Sequence, residues 1–381
     1  MIWSGVAIFL SVLGAIVQLV LNRRLNRGWR RWPIRAEKAQ KDVEVDVLMC
    51  VRNGVAEIED WMSSMGAQVD VHLRIVVVDD GSTDGTSARL ESLSVPNPHT
   101  LQVIHVQGTR PGKKDALQIG MESAKGPWVW MTDVDCRPRS RETCSRLVHA
   151  MTLDHADVIL GVSLPLRGSV KALPLWDGLR VAQSYLGWAG EGLPYMAVGR
   201  NWMVRKSLWP KISVHSDLAS GDDDLTFQAM HSHQPNLRVQ GVIDPMTQMD
   251  TWTPNSMKAF GRAKRRHLST GQRYSRKMLW ILALPTGVGI CFLGAFMALA
   301  VACWTETEVL HTALWIAFGW GGASWCIHAI NFRSFMRACG IQSGWQWLGW
   351  LQPVFWFWLA GQTLRALLMN QQEEWGERKR S

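Results

Sequence analysis

Two aspartates separated by one residue follow a short apolar run near the middle of the chain. Residues 128–138 read WVWMTDVDCRP, so Asp133 and Asp135 come directly after a predicted buried strand. In an open α/β sheet, the carboxyl ends of the strands line the ligand site. Two carboxylates on one face can share a divalent cation or accept hydrogen bonds from a ligand's hydroxyl groups. A solvated acidic turn is the structural alternative.

A second acidic pair, Asp79 and Asp80, ends another apolar run and is followed by Gly81 and Ser82. Glycine permits a tight turn, and serine can cap the next helix. The two acids can accept hydrogen bonds from N–H or hydroxyl donors of a ligand. A turn that only caps the helix is the alternative interpretation.

A glycine followed by a lysine, Gly112 and Lys113, opens a predicted helix after the third strand. The amino end of a helix and an ammonium group both attract phosphate, although a solvated basic turn has the same composition. The spacing matches neither the P-loop nor the dinucleotide fingerprint. It therefore argues against a P-loop NTPase and a Rossmann dehydrogenase.

Three consecutive aspartates, Asp222, Asp223 and Asp224, begin another predicted helix. The helix dipole favours acids at this end, which is a sufficient explanation for one or two of them. An acid crowded among like charges can have a raised pKa and can act as a general base.

A basic helix is predicted from Pro254 to about residue 270, with Thr253 as its cap. A helix that only lies on a membrane surface would show the same pattern. Its basic side chains are Lys258, Arg262, Lys264, Arg265, Arg266 and His267.

The elements that position these residues follow an α/β pattern. Runs rich in β-branched residues alternate with polar stretches of helix length, which predicts a mostly parallel sheet covered by helices on both faces. Because crossover connections are right-handed, the loops after the strands converge on one edge of the sheet. The runs lie at residues 44–51, 74–78, 101–106, 128–132 and 156–162.

Both ends of the 381-residue chain are strongly apolar, and much of the net charge of +9 lies beside the apolar segments. We predict an uncleaved transmembrane helix at residues 1–21, a basic juxtamembrane linker at 22–43, and transmembrane or interfacial helices within 278–368. The distribution of basic residues puts the central domain on the cytoplasmic side. It also favours an anionic lipid surface over nucleic acid as a partner.

The seven cysteines show no paired spacing and no Cys-x-x-Cys motif. This pattern is typical of reduced thiols and argues against a zinc site.

Five motifs, taken in order, resemble those of the family 2 glycosyltransferases. The resemblance covers about residues 44–276 and implies the GT-A fold, which is Rossmann-like with a mostly parallel sheet, and an inverting reaction. We accordingly predict a GT-A domain at 44–252, a basic interfacial helix at 253–277 and a polar tail at 369–381. The motifs are VDDGSTDGT at 78–86, GKKDALQIG at 112–120, TDVDCRP at 132–138, GDDDL at 221–225 and RAKRRHLSTG at 262–271.

The resemblance implies a nucleotide-sugar donor site. It assigns Lys113 to the donor nucleotide, and it assigns Asp135 to direct coordination of Mg²⁺ or Mn²⁺, with Asp133 near the ribose or the metal's waters. The ion would neutralise the diphosphate leaving group. The expected pocket for the base and ribose is formed by Arg52, Asn53, Asp79 and Asp80.

The resemblance also assigns the remaining chemistry. Asp222 or Asp223 matches the general base, which would take the proton from the attacking acceptor hydroxyl. In relatives a basic motif closes over the diphosphate and the acceptor. Its residues here are Arg262, Arg265, Arg266 and His267.

Several positions depart from the family pattern. Gly54 stands where Glu is usual, and Gln118 stands where Asn is frequent. The basic motif does not end in Trp, which weakens assignment to a processive polymerase.

The predicted protein is a bacterial inner-membrane enzyme with a cytoplasmic catalytic domain. It would transfer one sugar from a nucleotide donor, UDP-linked, to a lipid or lipid-linked acceptor. A processive synthase of a cell-surface polysaccharide is one alternative. A non-catalytic membrane subunit that only binds nucleotide or lipid is the other.

Overall fold

The computed structural model describes residues 2–33, 37, 42–107, 109, 112–153, 155–211, 218, 220–303 and 308–368. Within these ranges the central part of the chain forms a seven-stranded sheet and a smaller three-stranded sheet. The strands are β1 Val43–Val51, β2 Val71–Asp80, β3 Thr100–Val106, β4 Trp128–Met131, β5 Cys136–Pro138, β6 Val158–Leu160, β7 Ser163–Arg167, β8 Trp202–Arg205, β9 Val239–Gly241 and β10 Met249–Trp252.

The large sheet is mixed, with the strand order β3-β2-β1-β4-β8-β6-β9. Its first four strands are parallel, β8 is antiparallel to both β4 and β6, and β9 is parallel to β6. The small sheet has the order β5-β10-β7. The predicted α/β architecture is therefore confirmed, and the carboxyl ends of β1, β2 and β4 meet at one edge.

Helices cover both faces of the large sheet and continue beyond it. The α-helices are α1 Ile2–Trp29, α2 Ile58–Gly66, α3 Thr86–Ser92, α4 Lys114–Ser123, α5 Thr143–Leu153, α6 Ala172–Gly190, α7 Asp224–His233, α8 Met257–Ser269, α9 Arg276–Cys303, α10 Glu308–Ala338 and α11 Gln352–Leu368. Short 3-10 helices span Lys206–Leu208, Pro245–Thr247, Thr270–Arg273 and Ser343–Leu351. The basic helix α8 starts later than predicted, because the Ser256 hydroxyl caps it by accepting a hydrogen bond from the Ala259 N–H at 3.1 Å.

The core lies on both faces of the sheet. In β1, Val45, Val47 and Met49 pack on one face, whereas Leu48 and Cys50 pack on the other. Successive side chains of a strand point in opposite directions, so a strand that is buried on both faces must be apolar throughout. This explains the continuous run VLMCV and the central place of β1 in the sheet.

The amino-terminal helix α1 crosses α6 at very short range. A Cβ atom on Gly28 would lie 1.9 Å from the Gly187 carbonyl oxygen, so only glycine permits this approach. Beside the crossing, Arg24 and Arg27 donate hydrogen bonds to the Glu191 carboxylate at 3.2 and 2.8 Å. These interactions attach α1 to the α/β domain.

Within the described ranges, we find no helix that combines the length and the apolarity needed to cross a bilayer. The predicted transmembrane helices at residues 1–21 and within 278–368 are therefore wrong. So is the predicted placement of the chain as an integral protein of a bacterial inner membrane. In α1, the apolar run continues into Asn22, Arg23, Arg24 and Arg27 within the same helix.

A buried amide joins three segments near the edge of the sheet at which β4 ends. The Asn201 side chain donates hydrogen bonds to the carbonyl oxygens of Val162 and Thr247, both at 2.9 Å, and accepts one from Trp130 Nε1 at 3.1 Å. Asn201 is fully buried. Its loss would leave these partners without hydrogen bonds in a site that water cannot reach.

Replacing Asn201 by alanine should lower the free energy of unfolding by about 2–4 kcal/mol, because several buried polar groups lose their partners. Urea unfolding followed by circular dichroism measures the change. Asn255→Ala, at an exposed position, is the matched control and should shift stability by less than about 0.5 kcal/mol. Equal stability of the two variants would contradict this account.

Candidate functional site

The pair Asp133 and Asp135 lies where β4 ends. The Cys136 N–H donates to the Asp133 carbonyl at 3.0 Å, which turns the chain and places Asp133, Asp135 and Cys136 in one cluster. One ligand atom from each of these residues lies within 4.8 Å of the others. Carboxylate oxygens are the ligands that Mg²⁺ and Mn²⁺ prefer, so the donor set fits such an ion. The Cys136 thiol, 3.6 Å from Asp135 Oδ1, was not foreseen as part of this cluster.

Lys113 connects this cluster to the acids of α7. Its Nζ donates to Asp133 Oδ1 at 2.5 Å and lies 3.1 Å from Asp222 Oδ2. Gly112 has φ 90°, a left-handed conformation that turns the chain just before Lys113 and α4. Burial works against the charge of Lys113, but Asp133 and Asp222 outweigh it and raise the pKa of the ammonium well above its ordinary value.

The carboxyls of Asp222 and Asp223 have opposite pKa shifts. Burial works to raise the pKa of Asp222, but the Lys113 ammonium outweighs it and lowers that pKa. For Asp223, burial and then the negative charges of Asp222 and Asp224 raise the pKa to about 7. The carboxylate oxygens of Asp223 accept hydrogen bonds from the N–H groups of Gly199 at 2.7 Å and Asp224 at 2.8 Å. Two adjacent acids with separated pKa values form a suitable acid and base pair.

The third acid, Asp224, links the start of α7 to the end of α8. Its Oδ2 accepts hydrogen bonds from the Thr270 hydroxyl, at 2.9 Å, and from the Tyr274 hydroxyl. Burial raises the pKa of Asp224, and the two hydroxyl donors oppose that change. Asp224 therefore has a mainly structural environment, and its contacts with residues 270 and 274 were not foreseen.

Asp79 and Asp80, at the end of β2, have different environments. Asp79 is almost fully buried and interacts with the Ser82 N–H at 3.2 Å, the Ser87 hydroxyl and His105 Nδ1 at 3.3 Å. Asp80 Oδ1 accepts from the Thr109 hydroxyl at 2.5 Å, whereas its buried Oδ2 has no hydrogen-bond partner among the described residues. Burial raises the pKa of Asp80, against the effects of Thr109 and Arg52. Asp80 is thus the better placed of the two to accept a ligand's N–H.

Asn53 joins the loops that follow β1 and β2. It has φ 57°, a conformation that Asn tolerates better than most residues. Its N–H donates to Ser82 Oγ at 2.9 Å, and its Oδ1 accepts from the Thr83 N–H at 2.8 Å. The neighbouring Arg52 is exposed. The contacts of Asn53 hold the loops after β1 and β2 together. Arg52 carries a positive charge beside these loops.

The predicted residues of α8 point in several directions. Arg266 is half-buried, and its positive charge contributes to the lowered pKa of Asp222. Arg262 and His267 are exposed. Arg265 Nη1 donates to Gln362 Oε1 at 3.0 Å, so this side chain is used to contact α11.

A buried ion pair that sequence reasoning missed anchors α8 on α6. Lys264 Nζ lies 2.7 and 2.8 Å from the two carboxylate oxygens of Asp177. Both residues are almost completely buried. Lys264 belongs to the predicted basic run, but nothing in the local pattern distinguishes it from its exposed neighbours. The only signal was Asp177, an acid inside the mostly apolar helix α6.

The pKa of Asp223 has a consequence for stability. An acid with a raised pKa in the folded state binds its proton there more tightly than in the unfolded state. Its favourable contribution is therefore present below the unfolded pKa and is lost as the pH rises through about 7. From about pH 5 to about pH 8, wild-type protein should lose more free energy of unfolding than Asp223→Asn. Urea unfolding at both pH values measures this, with exposed Glu122→Gln as the control; parallel curves for wild type and Asp223→Asn would refute it.

Comparisons with known proteins concern the family and the fold. The model of the glycosyl transferase family 2 matches residues 46–207. A mannosyltransferase from Pyrobaculum calidifontis, solved with GDP-Man and Mn²⁺, is similar in structure with a TM-score of 0.60 and 18% identity, covering 95% of this chain and 99% of that one. Residues 1–349 of TarS from S. aureus align with a TM-score of 0.42 and 16% identity, covering 85% and 89% of the two chains. No curated protein sequence matches significantly.

The mannosyltransferase shares the fold over nearly the whole length of both chains. The family match lies on the strands and loops that carry Asp79, Asp80, Lys113, Asp133 and Asp135. The chain therefore carries a glycosyl transferase family 2 domain at residues 46–207.

Proposed function

We propose that this enzyme transfers a single sugar from a UDP-sugar to a lipid or lipid-linked acceptor, with inversion at the anomeric carbon. One observation carries the proposal. The carboxylates of Asp133 and Asp135, the Lys113 ammonium and the acids Asp222 and Asp223 converge beyond the carboxyl end of β4. This set provides a cation site for a diphosphate and a neighbouring general base.

The environment of Asp80 supports uracil as the base. Its single unpartnered oxygen, Oδ2, can accept one hydrogen bond from a nucleobase edge, because Oδ1 already accepts from Thr109. Uracil presents one imide N–H between two carbonyl groups. Guanine presents an N–H and an adjacent amino group, which together suit a carboxylate with both oxygens available.

Asp133 and Asp135 would hold Mg²⁺ or Mn²⁺, which supplies positive charge to the departing diphosphate. Lys113 and the amino end of α4 lie beside this position and can bind phosphate oxygens. Arg266, whose charge acts on Asp222, adds a second basic group on the opposite element. Together these groups would stabilise the charge that develops on the leaving group.

Asp223 is the proposed general base. Its pKa of about 7 lies near physiological pH, where a base is most effective. Asp222 has a different task, because its own pKa is lowered and its negative charge helps to raise that of Asp223. The base would accept the proton of the acceptor hydroxyl as it attacks the anomeric carbon.

The surroundings of α8 support an apolar acceptor. Phe260 of α8 stacks on Trp358 of α11 with ring centroids 5.2 Å apart. On α11, Val354 and Phe357 are 61% and 56% exposed, and Trp350 just before it is 44% exposed. An exposed apolar surface of this kind marks a place for a hydrophobic ligand. It lies next to the helix whose Arg266 acts on the proposed site.

Asp223→Asn should lower the rate of sugar transfer by about 10²–10⁴-fold, because the amide cannot accept the proton. The affinity for UDP should remain close to that of wild type. Product formation from a panel of UDP-sugars and lipid-linked acceptors with Mn²⁺ measures the rate, and calorimetry measures the affinity. Asp42→Asn is the matched control and should retain full activity; a fully active Asp223→Asn variant would exclude Asp223 as the base.

Asp80→Ala should weaken binding of UDP by about tenfold or more, because the imide N–H loses its buried acceptor. Calorimetric titration with UDP and, separately, GDP measures this in the presence of Mn²⁺. Asp70→Asn, just before the amino end of β2 and so at the other end of the strand from Asp80, serves as the control for UDP affinity. Tighter binding of GDP than of UDP by the wild-type protein would overturn the choice of donor while leaving the glycosyltransferase assignment intact.

A further inference from the structure

A buried ammonium lies between two acidic elements of the proposed site. Lys113 is 8% exposed. It is 2.5 Å from Asp133, which follows β4, and 3.1 Å from Asp222, which precedes α7. The same carboxylate, Asp133, thus has a cationic partner in the chain itself and a place in the proposed cation site.

The Lys113 ammonium and a divalent cation compete for the Asp133 carboxylate. Two positive charges that share one carboxylate repel each other, and the repulsion is strong where water is excluded. Binding of one therefore weakens binding of the other. The Lys113 side chain must give up part or all of its contact with Asp133 when a divalent cation is held by Asp133 and Asp135.

A donor diphosphate offers Lys113 a new partner. Lys113 directly precedes α4, and the amino end of a helix attracts phosphate. The space beside Nζ is lined by Gly199, where even an added Cβ atom would lie 3.6 Å from Nζ. Gly199 therefore presents no side chain of its own to Nζ.

We propose that Lys113 is a positioning residue that stands in for the divalent cation in the nucleotide-free site, and that cation and donor diphosphate together move it from Asp133 and Asp222 to the diphosphate. This inference rests on the proposed function for the identity of the donor. In this proposal, Asp222 loses its ion pair with Lys113 only when the cation and the donor diphosphate are bound. The acids at the start of α7 then face the acceptor without Lys113 only when the donor is in place.

Binding of Mn²⁺ without nucleotide tests the antagonism. The signal of free Mn²⁺ in electron paramagnetic resonance gives the Kd for each variant. Lys113→Gln should bind Mn²⁺ at least about fivefold more tightly than wild type, since the competing charge is gone. Lys113→Arg keeps the charge and should stay within about twofold of wild type, as should exposed Lys125→Gln, which lies beyond the other end of α4. Unchanged or weaker binding by Lys113→Gln would overturn the inference.

The same Mn²⁺ titration, carried out with saturating UDP, tests whether the Lys113 side chain moves to the diphosphate. UDP should tighten Mn²⁺ binding by wild type more than it tightens binding by Lys113→Gln, because only wild type gains a lysine contact to the diphosphate. Equal tightening in both proteins would show that Lys113 does not move to the nucleotide. If wild type binds neither UDP nor GDP, the proposed function fails, and the nucleotide-free comparison still decides the antagonism.

A second measurement uses the wild-type protein and does not depend on the folding of a variant. Lysine acetylation, followed by mass spectrometry of peptides, reports how accessible the Lys113 amine is, with Lys125 as the internal reference. Mn²⁺ alone should accelerate acetylation of Lys113, and addition of UDP should slow it again. A rate that does not respond to saturating Mn²⁺ would refute the displacement.

Discussion

Repulsion between carboxylates is the constraint on which the site is built. Asp133, Asp222 and Asp223 are brought together because strand ends and a helix start converge at one edge of the sheet. The chain offsets their mutual repulsion with the Lys113 ammonium, with the Gly199 N–H and with the amino end of α7. These compensations are unequal, so one acid is held ionised while its neighbour has a pKa near neutrality. The same crowding that costs stability therefore separates the pKa values of two adjacent acids.

The helix α8 is held beside these acids by contacts at several points along its length. One part of it is anchored by the buried pair of Lys264 and Asp177, and another by the stacking of Phe260 on Trp358. Breaking a buried ion pair by removing one partner costs several kcal/mol, so the position of α8 is strongly held. Its end is tied to the base loop through Asp224, Thr270 and Tyr274. Helix α8 and the acids that begin α7 are thereby held together.

Local sequence patterns predicted the features that depend only on residues close together in the chain. The alternation of buried residues in β1 and the position of Asp133 after β4 follow from strand geometry, and right-handed crossovers bring the strand ends to one edge. Contacts between segments that are distant in the sequence could not be predicted in this way. Lys113 could be assigned to a phosphate from its position before α4, but not to Asp222, whose loop approaches only in the folded chain. Lys264 and Arg262 look alike in the sequence, yet one is buried on Asp177 and the other is exposed.

The close crossing of α1 and α6 at Gly28 and Gly187 has a consequence for the order in which the protein assembles. Helix α1 is synthesised first, but the surface that receives it is completed only when α6 and Glu191 have left the ribosome. Until then Arg24 and Arg27 have no carboxylate partner there, and the glycine face of α1 has nothing to pack against. Docking of α1 on α6 can consequently begin only after residues 172–191 have been synthesised.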